Sequence, residues 1–562
     1  MSRRRAYLDL GLRGTARGVF VLVLAALVAV KLWLVAGQTL SARGPAAYDD
    51  ALFMRLAGSL AHGHWLGRYD QLTLAKGPFY PMWIAASFAL GVPLLLGQHL
   101  LYAFACAVFV SALAPALRAR VLQVFLFSVL LFNPCSYADG AMTRILREGV
   151  YPGLSLLVLG TAAGLVLRLG RPRWVCAAWG LALGASLAGF WLCREERVWI
   201  APALFLSVAG LAVLERPVPW RRLAGTLAFS LTLFAVVVGG VQAKNLDRYG
   251  AFVVTEFTEG PFPEGYAALA RVRHAVFRSR VPLPAEARAR IYAASPSFAE
   301  LRPFLEGALC RHWTSVSCRA AGICDEIAGG WMVWALRDAA ALAGHSGDAA
   351  RPADYWRAVA REVNTGCDAG RLDCAAIQPT FLPQLRPAYL PIIAASIARA
   401  LLAAVTFEGV STHPSTSIGD EHLLAGFHDL SRTRLSPTGL EGQGSLALQG
   451  RLDARKLAVL EWILGFYQRL VPILGGAAVV ALAVGIVCAF RRRRPTPLLV
   501  VTFALLVGAV TRLVLVALVD ATSFNAINPL YLSPAYPLLL GVVALAVPAA
   551  IGERGLRDST WN

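Results

Sequence analysis

Asp49 and Asp50 are adjacent acids ahead of the segment 51–62, and the same stretch of chain goes on to carry His62, His64, Asp70 and Lys76. Three more groups of charge interrupt otherwise apolar sequence. They are Asp139 with Arg144, Arg147 and Glu148; the run Arg194-Glu195-Glu196-Arg197; and Asp520 with Asn525. A carboxylate can take the proton of a reacting hydroxyl, and arginine and lysine make charge-assisted hydrogen bonds to phosphate oxygens. Ionisable groups at the ends of membrane helices are costly, so they pair with one another or line a polar cavity. Acids and arginines gathered at one membrane face would suit an anionic substrate held by the membrane. Plainer readings stand beside this one. Arg194–Arg197 also fits an interfacial ion-pair knot, and Arg144, Arg147 and Glu148 fit an anchor for lipid headgroups. Asp49-Asp50 fits a helix N-cap, a role aspartate fills well, and His62 and His64 read as loop residues.

The elements that must position these groups are membrane helices. Hydrophobic residues make up 57% of the 562 and charged residues 15%, with a mean hydropathy of +0.57. Crossing a bilayer as a helix takes about 20 mostly apolar residues. Runs of that kind recur at 18–37, 98–117, 150–168, 174–192, 197–214, 223–243, 470–490 and 497–519. Two shorter runs, 121–133 and 534–551, bring the expected crossings to about ten. Arg3, Arg4, Arg5, Arg13 and Arg17 precede the first run, which reads as a signal anchor. Val35-Ala36-Gly37 leaves a removed signal peptide as the alternative.

Charge orients the helices. The formal net charge is +19, yet residues 243–467 hold 23 Lys/Arg against 22 Asp/Glu, so the excess lies in the membrane part. Basic clusters at the N-terminus, Arg118/Arg120, Arg168/Arg171/Arg173, Arg216/Arg221/Arg222, Arg491–Arg494 and Arg554/Arg557 alternate with poorly charged or mixed loops. By the positive-inside rule both termini are cytoplasmic, and the acids and arginines named first all fall on the outer side. Basicity divided among short loops forms no single face for nucleic acid. The alternation requires that 78–97, broken by Gly91 and Pro93, lie on the outer face as a juxtamembrane or re-entrant helix. The stretch 389–406, with Pro391 and Arg399, is expected to be a buried or interfacial helix. The chain thus divides into an N-terminal transmembrane module, 1–243, with a first external loop at 38–97; an external domain, 244–467; and a C-terminal transmembrane module, 468–562. The expected fold class is mainly α, with the large domain inserted between the seventh and eighth crossings. The expected location is a bacterial inner membrane, with the large domain periplasmic or extracellular.

Five of the ten cysteines, Cys310, Cys318, Cys324, Cys367 and Cys374, lie in that domain. Cys318 with Cys324 and Cys367 with Cys374 are close enough in sequence to pair, which suits an oxidising compartment. CxxC spacing is absent, so disulfides are preferred over a zinc site.

The first external loop resembles that of the C-type glycosyltransferase superfamily, GT-C. The residues that carry the likeness are Tyr48-Asp49-Asp50-Ala-Leu-Phe-Met-Arg-Leu-Ala57, then Gly63-His64-Trp65, then Lys76-Gly-Pro-Phe-Tyr80. Nearest in pattern are the protein O-mannosyltransferases and the lipid A aminoarabinose transferase. The likeness covers 48–81 and the order of the helices, and does not extend to 244–467. Asp50 stands where the family usually has Glu, and Gly77 where it has the first Pro of Lys-Pro-Pro.

The resemblance implies transfer of a sugar from a polyprenyl-phosphate donor to an outer-side acceptor, with inversion. It makes Asp49 the base, lets Asp50 orient it or hold a cation, and puts Lys76 on the donor phosphate. Arg144, Arg147 and Arg194 are further phosphate-binding candidates by their side of the membrane, and Glu148, Glu195 and Glu196 complete the polar site. The expected partners are the donor, membrane lipid and an acceptor that is a glycan, lipid or protein; a divalent cation is possible. A polysaccharide polymerase or ligase is the alternative enzyme, and a lipid or glycan transporter the alternative outside catalysis. The first does not require this loop, and transporters often carry repeats and mid-membrane sites.

Overall fold

A computed structural model describes residues 2–214, 217–376, 386–436 and 447–557, without the side chains of 2–16, 447–449 and 552–557. Arg216 therefore lies outside the described residues, as do the side chains of Arg3, Arg4, Arg5, Arg13, Arg554 and Arg557. Strand-type pairing is limited, among the described residues, to four isolated bridges. Nine helices among them are long and apolar enough to cross a membrane: Arg17–Val35, Leu94–Leu113, Arg147–Val166, Arg173–Cys193, Arg197–Leu214, Trp220–Tyr249, Tyr389–Thr406, Gly450–Arg492 and Pro497–Thr522. Arg120–Leu131 and Ala535–Ile551 are shorter apolar helices. In hydrocarbon a helix satisfies its own backbone groups, which is why these apolar runs take that form.

Three elements differ from the expectation. The stretch 78–97 is not one helix: Phe79–Ala89 ends, the chain turns at Gly91 in the left-handed region (φ 70°), and a new helix starts at Leu94 after Pro93. At 11 residues Phe79–Ala89 is about 16 Å long, half of a hydrocarbon core of roughly 30 Å. Tyr389–Thr406 has the length and composition of a crossing. However, its middle, at Ser396 and Arg399, meets Asp520 at the end of Pro497–Thr522. The third difference is the helix Ala447–Arg492, which runs unbroken through the expected boundary at 467/468. Its 46 residues reach about 69 Å, so it extends well past a bilayer.

Most buried apolar residues described within 244–467 fall in two cores. Phe257, Phe262, Leu269, Ile291, Phe298, Trp313, Leu336, Trp356 and Val363 pack into a core of their own. Ala400, Phe407 and Phe427 instead join the core built by the apolar helices. Both predicted disulfides are present, Cys318–Cys324 and Cys367–Cys374, and Cys310 is free.

The first loop is clamped on both sides. Leu40 and Arg43 bridge to Leu435 and Ile418, and Ser41 bridges to Arg144, with Ser41 N–H donating to Thr143 O at 2.7 Å. This pairing brings the turn that carries Arg144 alongside the aspartate pair. From above, Tyr48 donates to Asp338, and Glu256 N–H donates to Leu74 O at 2.8 Å. The separate core of the large domain is thereby seated over the loop.

Candidate active site

The helix Asp50–Ala61 begins at the second aspartate, and Asp49 occupies its N-cap position without a side-chain capping bond. The expectation that the pair caps this helix fails for Asp49, because Lys76 holds its carboxylate instead. The two acids have opposite surroundings. Asp50 is fully buried, whereas 45% of the Asp49 side-chain surface is exposed. Arg144 grips Asp50 with two nitrogens, Nη2 at 2.6 Å and Nε at 3.0 Å, and Arg43 N–H adds a bond at 3.3 Å. Asp50 is thus engaged by a guanidinium where the resemblance allowed a cation. Among the described residues no three His, Cys, Asp or Glu are grouped to hold a metal ion.

Lys76 is nearly buried, with its ammonium 5.0 Å from the centre of the Phe53 ring and 5.6 Å from that of Trp334. Attraction to the aromatic faces helps hold such a cation in place. Gly77 next to it permits a close approach, since a Cβ there would lie 2.2 Å from Leu192 O. Its N–H also donates to Glu195 at 3.2 Å. A proline, usual at this place in the family pattern, has no N–H to give. The departure seen in the sequence therefore has a local physical reason.

The other charged candidates form an ion-pair net behind these two. Arg147 pairs with Glu195 at 2.7 Å. Arg194 pairs with Glu148 and, at 2.6 Å, with Glu196. Arg194 is 3% exposed, its guanidinium lies between the faces of Tyr151 and Tyr531, and its Nε has no acceptor among the described residues. The run Arg194–Arg197 makes several ion pairs, and Arg194 also lines a cavity.

That cavity, of about 550 Å³, is lined by Asp49, Lys76, Arg144, Arg147, Glu148 and Arg194. An adjoining recess of about 280 Å³ shares Arg147 and Arg194 with it and adds Glu196 and Arg512. Asp50 and Glu195 support the wall through Arg144 and Arg147. All nine candidate residues are therefore gathered in one place. Four others named with them stand apart. Asp139 is tied to Thr143 and Ser415, and Asp70 to Arg55. Asp520 is tied to Arg399, and Asn525 to Arg280.

Burial raises a carboxyl's pKa, but Lys76 foremost, with Arg144 and Arg147, more than reverses this for Asp49 and holds it at about 2. Asp50 moves the other way, raised by burial against the pull of Arg144. Glu195 is pushed up by burial and drawn below its ordinary value by Arg147.

The sequence reading missed the roof and one wall. The roof comes from the large domain: Trp313, Trp331, Trp334, His312 and Arg319, with Tyr48 wedged between Trp313 and Trp334 at ring distances of 5.1 and 5.0 Å. No spacing in the sequence marks those tryptophans. Arg512 was findable, because it is an arginine within an apolar run, and such residues usually have a partner; here the partner is Glu196 at 3.3 Å.

No family model matches the chain, and no curated protein does. Among solved structures, the crystal structure of ArnT from Cupriavidus metallidurans in the apo state is similar at 16% identity, over 95% of this chain and 78% of that one. The structure of ArnT bound to undecaprenyl phosphate is similar at 14% identity, over 95% and 79%. Both have a TM-score of 0.31, too low for either to bear on the site or activity of this chain.

Proposed function

We propose that this chain is a membrane glycosyltransferase that moves a sugar from a polyprenyl-phosphate donor to a hydroxyl acceptor on the outer side of the membrane. The observation that carries the reading is the pairing of an exposed carboxylate, Asp49, with a nearly buried ammonium, Lys76, in a cavity backed by Arg144, Arg147 and Arg194. A single displacement needs both halves of that arrangement. The acceptor oxygen attacks the anomeric carbon, its proton passes to Asp49, and the bond from that carbon to the phosphate oxygen breaks. The electron pair leaves with the polyprenyl phosphate, whose added charge is met by Lys76 and the arginines. One such displacement inverts the anomeric centre.

The resting ion pair suits this sequence of events. A carboxylate held at about 2 is a weak base. A donor phosphate arriving at Lys76 competes with Asp49 for the ammonium, which raises the basicity of Asp49 when the acceptor needs it. Arg194, which also lines the cavity, adds a further positive charge beside that phosphate. Asp50 positions rather than reacts, since it is buried against Arg144.

The test is transfer of labelled sugar from a polyprenyl-phosphate donor in liposomes, with donor binding measured separately. Asp49→Asn is expected to lose roughly 10²–10⁴-fold in rate and to keep donor binding. Lys76→Ala is expected to lose both, because it removes the cation facing the phosphate. Near-normal transfer by folded Asp49→Asn would remove the base assignment. If the wild type binds no such donor, the transferase reading gives way to a polymerase acting on a lipid-pyrophosphate glycan or to a transporter.

A further inference from the structure

The helix Ala447–Arg492 runs into four consecutive arginines, Arg491–Arg494, and the chain turns just past its end through Arg493, whose φ of 53° is left-handed. Just before that turn, Ile486, Ala489, Phe490 and Arg493 recur at the spacing of one helix face, continued past the helix end. Opposite them Leu206, Ala209, Gly210 and Val213 repeat the same spacing on Ala201–Leu214. The two stripes do not close on each other. Gly485 brings the long helix against Ala550 instead, where a Cβ would come within 3.3 Å of the backbone. A wedge of about 810 Å³ remains between the stripes, floored by Leu499, Val500 and Phe503. Phe490 is 80% exposed there.

The mouth of the wedge is cationic. Arg493 and Arg494 line it, both are exposed, and neither side chain has a hydrogen bond or ion pair among the described residues. Arg144, Arg147 and Arg194 of the other cavity, in contrast, are engaged by carboxylates. The wedge is also remote from that cavity. It sits at the start of Pro497–Thr522, and the cavity wall at Phe524 lies beyond the other end, about 36 Å away along the helix.

We propose that this wedge is a binding site for an anionic membrane phospholipid. One acyl chain lies between the two apolar stripes, and the phosphate accepts hydrogen bonds from Arg493 and Arg494. An apolar slot fixes the tail, while two exposed guanidiniums match a phosphate in charge and geometry. A polyprenyl phosphate shares the headgroup chemistry, but the wedge opens in the leaflet opposite the cavity where the proposed donor reacts. A bulk phospholipid of the basic side is the occupant.

Full-length protein in a neutral detergent would be incubated with phosphatidylglycerol, phosphatidylcholine or undecaprenyl phosphate, and the lipids retained counted by native mass spectrometry. Phosphatidylglycerol is expected to bind roughly tenfold better than phosphatidylcholine, since each basic residue near an anionic headgroup adds several-fold. The double substitution Arg493→Gln, Arg494→Gln should erase that preference while leaving phosphatidylcholine retention as it was. Both arginines are exposed, so this variant should fold normally. Ala209→Trp, checked for an unchanged gel-filtration profile, should lose both phospholipids by filling the slot, and Lys76→Ala should leave phosphatidylglycerol retention unchanged. Equal retention of the two phospholipids by the wild type, or a preference that survives the double substitution, would overturn the proposal. So would preferential retention of undecaprenyl phosphate that depends on Arg493 and Arg494. None of these readings depends on transferase activity, so the site and the proposed reaction can fail independently.

Discussion

Asp49 and Asp50 are chemically the same group at neighbouring positions, and their environments separate them completely. Asp50 opens a helix, points inward and is taken up by Arg144, while Asp49 faces the cavity and Lys76. This difference makes a pH prediction. The acid limb of kcat/KM reports the free enzyme, where Lys76 holds Asp49 at about 2. Activity by that measure should stay level as pH falls through the ordinary carboxylate range near 4. The limb of kcat reports the donor complex, where the phosphate shares Lys76, so it should lie at higher pH. Lys76→Gln removes the main cation that lowers the Asp49 pKa, so its residual kcat/KM should show an acid limb displaced upward, toward 4. Parallel pH profiles of the two enzymes check this, and a limb that does not move would detach Asp49 from the proton transfer.

Among the elements, the short connection from Lys76 to the helix Phe79–Ala89 is the most tightly constrained part of the site. It carries the ammonium, and its glycine lies against the carbonyl of Leu192 at the end of Arg173–Cys193. Backbone cannot yield to a methyl group as a flexible side chain does. Gly77→Ala should therefore force the two elements apart, at a cost of about 1–3 kcal/mol, and lower the thermal midpoint in detergent. Because Lys76 would move with the displaced backbone, donor affinity should fall as well. A midpoint and donor affinity both equal to the wild type would show that this close approach does not constrain the site.

At the scale of the whole molecule, the cavity depends on pieces far apart in sequence. The first loop supplies the floor, two helix ends supply the ion-pair net, and the separate core of residues 257–372 supplies the tryptophan roof. The arrangement requires that the ends of these helices share one side. Reporter fusions after Pro45, Gly140, Glu195, Ala350 and Asn525 should report outside, and those after Ala119, Arg171, Pro219 and Arg493 inside. An outside signal after Ala119 would make the 78–97 stretch a crossing and separate the groups that the cavity joins.

Much of this could be read from the sequence, because the bilayer imposes simple rules. Apolar runs of membrane length must be helical, and eight of the ten expected crossings return among the nine long apolar helices, the other two as shorter ones. Charge confined to helix ends must pair or face a cavity, and so Arg147 and Arg194 could be singled out by position, while Asp49 and Lys76 were marked by the resemblance of the first loop. The two disulfides were likewise legible from short spacings. What the sequence did not contain is which acid meets which base. Arg144 chooses Asp50, and Lys76 chooses Asp49, through a bridge from Ser41 and a glycine contact at Leu192 that join distant segments. Nor could periodicity show that the domain between the crossings would share a core with the membrane helices, or that its tryptophans would cover the loop. Hydropathy and charge act locally along the chain, whereas the exposure of one aspartate and the burial of its neighbour follow from packing between segments far apart in sequence.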